Sequence, residues 1–217
     1  LIILFVLLAA FLHAFWNFIL RGSNDKSLTM TAVVLGHLPL SIIGLLAFGF
    51  PNYESLNFIV LSAMLHFCYK IVLLNAYKYG ELSQVYPVAR GLSPLLIVII
   101  TSLFLSEKLN NYELVGILCI SFSLLLYGIK ISIQSKTNLK GFFFAIITGC
   151  FIASYSLGDG YGARIDQNPI GFYSSLTILN GFLYIVFSLI FQKGIIKKIL
   201  TDGKKYFWIG GTASFGA

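Results

Sequence analysis

Charge is what this sequence has least of. Of its 217 residues, 15 are Lys or Arg and 8 are Asp or Glu, so 11% are charged, against about a quarter in soluble domains. That shortage excludes a soluble globular enzyme: with 58% hydrophobic residues, a chain of this size cannot place all its Leu, Ile and Phe inside while still exposing a surface to water. The polar composition of a disordered chain is missing as well. Three cysteines are too few for a disulfide framework, and the basic residues are too sparse for a nucleic-acid module. Cys68, Cys119 and Cys150 stand in apolar runs with neither C-x-x-C nor His spacing, so no metal site is expected and buried small-residue packing is their expected role. Also absent are G-x-x-x-x-G-K-[ST], H-E-x-x-H and G-x-S-x-G. Nothing therefore calls for a nucleotide, a metal or any other cofactor, and the expectation is a protein that is not an enzyme.

What is present is a series of long apolar runs. Cutting the chain at its charges and its Pro, Asn and Gly clusters leaves Leu1 to Leu20, Met30 to Phe50, Leu56 to Tyr77, Val85 to Leu105, Tyr112 to Ile129, Gly141 to Gly158 and Ile170 to Phe191. Each is long enough to cross a hydrocarbon layer about 30 Å thick as a helix. An eighth run begins near Tyr206 and reaches Ala217 after twelve residues. Because it is too short to cross, and because Leu1 opens inside an apolar run, the sequence reads as truncated at both ends. Continuous rather than alternating apolarity predicts helices, not barrel strands, so the fold class is an all-α polytopic membrane protein. Asn110 with Glu113 three residues on, and Asn168 before Pro169, are expected helix starts.

The connections differ in charge. Those joining spans one to two, three to four, five to six and seven to eight hold eleven Lys and Arg, whereas the opposite side holds only Lys108 and Arg164. This asymmetry predicts that the odd-numbered connections are cytoplasmic. The excess basic charge then serves insertion and contact with anionic lipid headgroups, not nucleic acid.

Setting the first span against the sixth at an offset of 139 pairs Ala10, Ala14, Trp16 and Asn17 with Gly149, Ala153, Tyr155 and Ser156. Small, small, aromatic and polar residues recur at one spacing. A five-helix unit is expected over residues 1–133, a linker over 134–140 and an incomplete second unit over 141–217. Because five is odd, a tandem repeat enters the membrane from opposite sides, the inverted-repeat plan of many secondary transporters.

The third to fifth spans carry Asn75-Ala76-Tyr77-Lys78-Tyr79-Gly80, then Ser83 through Leu95, then Ser106-Glu107-Lys108-Leu109 and Leu114 through Leu118, and the first carries His13-Ala14-Phe15-Trp16-Asn17. These stretches resemble the drug/metabolite transporter superfamily of the EamA type. The resemblance implies ten helices as five plus five and the export or exchange of small metabolites. That superfamily in turn resembles the small multidrug resistance family, whose members carry a Glu in their first helix; no acid stands in the first span here, which disfavours that route to proton-coupled export of cationic drugs.

Ionisable residues inside a span usually face a cavity or one another. Lys70 falls in the third span, with His66 one turn earlier on the same face, and Arg90 falls five residues into the fourth. Drawn with these boundaries, no span holds an Asp or Glu deep inside. The two cations therefore read as an unpaired set that attracts a carboxylate, phosphate or phosphonate. His13 and Asn17 share one face of the first span, and Tyr86 stands one turn before Arg90; all join Lys70, Arg90 and His66 as candidate substrate-binding residues. The competing reading gives the two cations to headgroups or backbone carbonyls, and His13 and Asn17 to an interhelical hydrogen bond. Pro87 and Pro94 are expected to kink or hinge the fourth span, and Glu107, where the family pattern also has Glu, to make a structural contact at its end. The glycine-rich run Gly158-Asp159-Gly160-Tyr161-Gly162 reads as a flexible helix end.

The function expected is a secondary active transporter of small anionic or zwitterionic metabolites, working by alternating access in a plasma membrane of the bacterial inner type. Its expected partners are a small-molecule substrate and membrane lipids, with no nucleic acid, in a monomer or homodimer. An exporter of drug-like or cationic compounds and a non-transporting membrane scaffold are the alternatives.

Overall fold

The computed structural model describes residues 2–104, 109–134, 139–201, 206 and 208–211. Eight labelled helices follow one another: α1 (Ile2–Gly22), α2 (Lys26–Phe48), α3 (Leu56–Tyr79) after a short 3-10 turn at Tyr53–Ser55, α4 (Leu82–Phe104), α5 (Asn111–Gln134), α6 (Leu139–Asp166), α7 (Pro169–Phe191) and the short α8 (Ile195–Thr201). Six of them, α2 to α7, are long and apolar enough to cross a membrane. The all-α polytopic membrane fold follows directly. Helix starts fall where the side chains can cap them. The Asn110 backbone N–H donates to Glu113 Oε2 at 2.9 Å, and Asn168 Oδ1 accepts from the Gly171 N–H at 3.0 Å with Pro169 at the first helical position. Glu107 lies outside the described residues.

The outward faces are apolar. Phe11, Leu46, Phe122 and Phe191 are 65%, 79%, 55% and 72% exposed, while Gln84, Thr148 and Asp166 are fully buried. Polar inside and apolar outside is the arrangement that hydrocarbon solvent selects, since a buried polar group costs least where the protein itself supplies its partners. Cysteine corrects one expectation: Cys119 and Cys150 are exposed on the apolar outer surface, and only Cys68 is partly buried.

Contacts divide the chain into two units, Leu1–Phe67 with Tyr161–Ala217, and Cys68–Gly160. In the first, α2 lies along α7. A side chain at Gly44 would meet Ser174 Oγ at 2.5 Å and one at Gly181 would meet Leu38 at 2.6 Å, so small residues let these helices approach. Asp166, at the end of α6, ties several chain ends together. Its carboxylate accepts from the Asn52 N–H at 3.1 Å, the Asn168 N–H at 3.3 Å and the Ser55 hydroxyl, while Asn168 Nδ2 donates to Phe48 O at 2.9 Å.

In the second unit, α4 lies along α5. Buried Gln84 donates from Nε2 to Ser132 Oγ at 2.9 Å, and Ser132 passes the bond to Gly128 O at 2.7 Å. The second half of α3 runs against α6 in the opposite direction: Tyr79 stacks on Phe144 with centroids 5.9 Å apart, and ten residues earlier on α3 Tyr69 meets Tyr155, eleven residues later on α6, at 5.4 Å.

The sixth helix requires the main correction. Its expected end at Gly158 and the flexible run after it are one regular helix to Asp166. Neighbouring contacts override the weak helix propensity of glycine: a side chain at Gly162 would meet the Phe172 ring at 2.6 Å and Phe58 at 2.7 Å, so glycine is there because the packing is close.

Candidate functional site

Lys70 and Arg90 each stand ten residues from Gly80, one on either side, which is about 15 Å of helix. The turn at Gly80 therefore returns the chain to the depth it left, and both cations sit at similar height along α3 and α4. On α4, Arg90 is held between two close approaches. The neighbouring Ala89 carbonyl would lie 3.0 Å from a side chain at Gly149 of α6, and a side chain at Gly91 would lie 2.9 Å from the Ser121 carbonyl of α5. Bulk at either glycine would push a neighbouring helix away and move the guanidinium with it.

Helical spacing supplies the rest of the group. Tyr86 and Arg90 are one turn apart on α4, and the guanidinium lies over the Tyr86 ring, 5.7 Å from its centroid. Tyr155 and Asp159 are one turn apart on α6. The Tyr69 and Tyr155 rings meet edge to face, at 70°, and the Arg90 charge acts on both. Asp159, 6% exposed, is the charge that acts on Lys70. The pairing follows from the direction of the helices: side chains lean toward their own N-terminus, so Lys70 on α3 and Asp159 on the oppositely running α6 lean toward each other.

Asp159 overturns the expectation that no acid lies inside a span and that both cations are unpaired. Cutting the chain at its charge and glycine cluster ends the span at Gly158, eight residues before the helix ends at Asp166. Arg90 differs from Lys70. Its Nη2 is buried and has no hydrogen-bond partner among the described residues. Its own carbonyl also loses the usual helical donor, because the residue four positions on is Pro94. Pro87 and Pro94 both lie within an uninterrupted α4.

Of the sequence candidates, Lys70, Arg90 and Tyr86 fall in this unit with the newly found Tyr69, Tyr155 and Asp159. His13, Asn17 and His66 belong to the other unit. Asn17, 2% exposed, donates from Nδ2 to the His13 carbonyl of its own helix at 3.0 Å. Aromatic residues in a span mostly mean packing, so nothing in the sequence marked Tyr69, and Tyr155 stood out only as the repeat counterpart of Trp16; the signal for Asp159 was an acid four residues after a tyrosine inside an apolar run.

The model of the EamA-like transporter family matches residues 1–129. No curated protein and no solved structure matches the chain.

Proposed function

The chain belongs to the EamA-like transporter family, and from that premise we propose that it moves small metabolites bearing an anionic group, amino-acid-like or phosphonate-like, across the plasma membrane by alternating access. Membership makes it a multi-pass membrane transporter of the drug/metabolite type; the substrate, the mechanism and the membrane are our reading. One observation carries it. A guanidinium with a buried, unbonded Nη2 is costly in a hydrocarbon-spanning helix unless a guest compensates it, and the fork geometry of Arg suits a carboxylate or a phosphonate. Secondary transport fits the absence of a nucleotide-binding motif. Flux then depends on gradients, with Arg90 as the anion anchor, Lys70 beside it and Tyr86 as the ring that holds the guanidinium in place.

Purified protein in lipid vesicles tests this through uptake of labelled carboxylates, amino acids and phosphonates. Saturable uptake without chemical conversion is expected. Arg90→Gln should lower it about ten- to a hundredfold, the equivalent of losing a charge-assisted hydrogen bond of ~1.5–3 kcal/mol. Uptake no greater than in protein-free vesicles, or undiminished by Arg90→Gln, defeats the reading.

A further inference from the structure

The charges gathered in the second unit do not balance. Lys70 and Arg90 bring two positive charges, Asp159 brings one negative, and the three tyrosines around them, Tyr69, Tyr86 and Tyr155, bring none. Lys70 is the cation on which Asp159 acts. Arg90 is the one with a buried nitrogen that has no hydrogen-bond partner among the described residues, and its guanidinium lies over the Tyr86 ring. The set is therefore short of a single negative charge, located at the guanidinium.

We infer that Asp159 is a specificity-determining residue: by compensating Lys70 it sets the site to accept guests of net charge minus one, a monoanionic head on Arg90 with an apolar or aromatic body against Tyr69 and Tyr155. This rests on the transporter reading above and narrows it to guests that carry one negative charge overall, such as a monocarboxylate or a singly ionised phosphonate, setting aside zwitterionic amino acids and phosphonate dianions. A dianion would leave one negative charge in surplus among buried groups, and a zwitterion would bring an ammonium toward a guanidinium with its only nearby acid engaged elsewhere. Both mismatches place like charges together or leave a charge uncompensated away from water. Without Asp159 the same two cations would suit a dianion.

The charge count makes a ladder that can be climbed one residue at a time. Three probes share one ring and differ in head charge: benzenesulfonate as monoanion, phenylphosphonate above its second ionisation as dianion, and phenylalanine as zwitterion. Their dissociation constants are measured by calorimetry on the purified full chain in detergent. Wild type should bind benzenesulfonate about tenfold more tightly than either other probe. Asp159→Asn should reverse the order in favour of phenylphosphonate, and Lys70→Gln should move it toward phenylalanine. The double variant Lys70→Gln/Asp159→Asn restores a net single positive charge and should recover the wild-type order. It also covers the case in which a single variant fails to fold. Wild type that binds none of the three, or prefers the dianion, overturns the inference. So does an unchanged order in folded Asp159→Asn, or a double variant without the wild-type order. Arg90→Gln separates the two levels: undiminished binding there defeats the transporter site itself, whereas loss of binding with an order insensitive to Asp159 defeats only the charge rule.

Discussion

The two units use buried polar groups differently. In the first, a network ties chain ends together: Asp166 collects two backbone N–H groups and a hydroxyl, Asn168 spans Gly171 N–H and Phe48 O, and Asn180 donates to the Ala63 carbonyl at 2.9 Å, although buried Ser62 Oγ has no hydrogen-bond partner among the described residues. In the second, Arg90 keeps a buried nitrogen with no such partner. Both lie in helices that lipid surrounds, so both face the same cost of an unsatisfied group. A polar group bonded to backbone holds helices in place; a buried charged group with an unbonded nitrogen is costlier to leave so than an unbonded hydroxyl.

Breaking the scaffold should have the largest effect on stability. Asp166→Ala strips two N–H groups and a hydroxyl of their acceptor, and at ~1–3 kcal/mol for each orphaned group the loss should reach several kcal/mol. Thermal unfolding in detergent reads this directly; a melting temperature within a degree of wild type would erase the contrast between the units. A smaller loss is expected where the second unit depends on space. A side chain at Gly141 would sit 2.8 Å from the backbone of Gly80, so Gly141→Ala must shift α6 and should cost about 1–3 kcal/mol, measured in the same way. Smallest is the exposed pair. Lys198 Nζ lies 3.8 Å from Asp25 Oδ2 with both side chains about half exposed, and Lys198→Ala should change stability by less than about 0.5 kcal/mol. A larger change would show that exposed ion pairs share in the scaffold.

Much of this was written in the chain. Apolar runs without alternation predicted helices, and Asn168–Pro169 predicted the start of α7 to the residue. Lys70 and Arg90 stood out because charge inside a span is rare, and Tyr86 because it stands one turn before Arg90. What escaped was decided by packing. Three glycines in five residues signal the end of a helix, yet Phe172 and Phe58 fill the space at Gly162 and α6 continues, taking Asp159 into the interior. The bond from Asn17 Nδ2 to the His13 carbonyl of its own helix leaves no mark in the spacing either. Asn52 and Ser55, two of the partners of Asp166, lie more than a hundred residues away, beyond the reach of local pattern.

The length of α6 has a consequence of its own. Its 28 residues make a rod of about 42 Å for a hydrocarbon slab of about 30 Å. Such a rod must lean, or push its ends into the headgroups, and hydrophobic mismatch of this kind changes with lipid chain length. Asp159 rides on that rod seven residues from its end. Bilayer thickness thus bears mechanically on the depth at which that carboxylate is held.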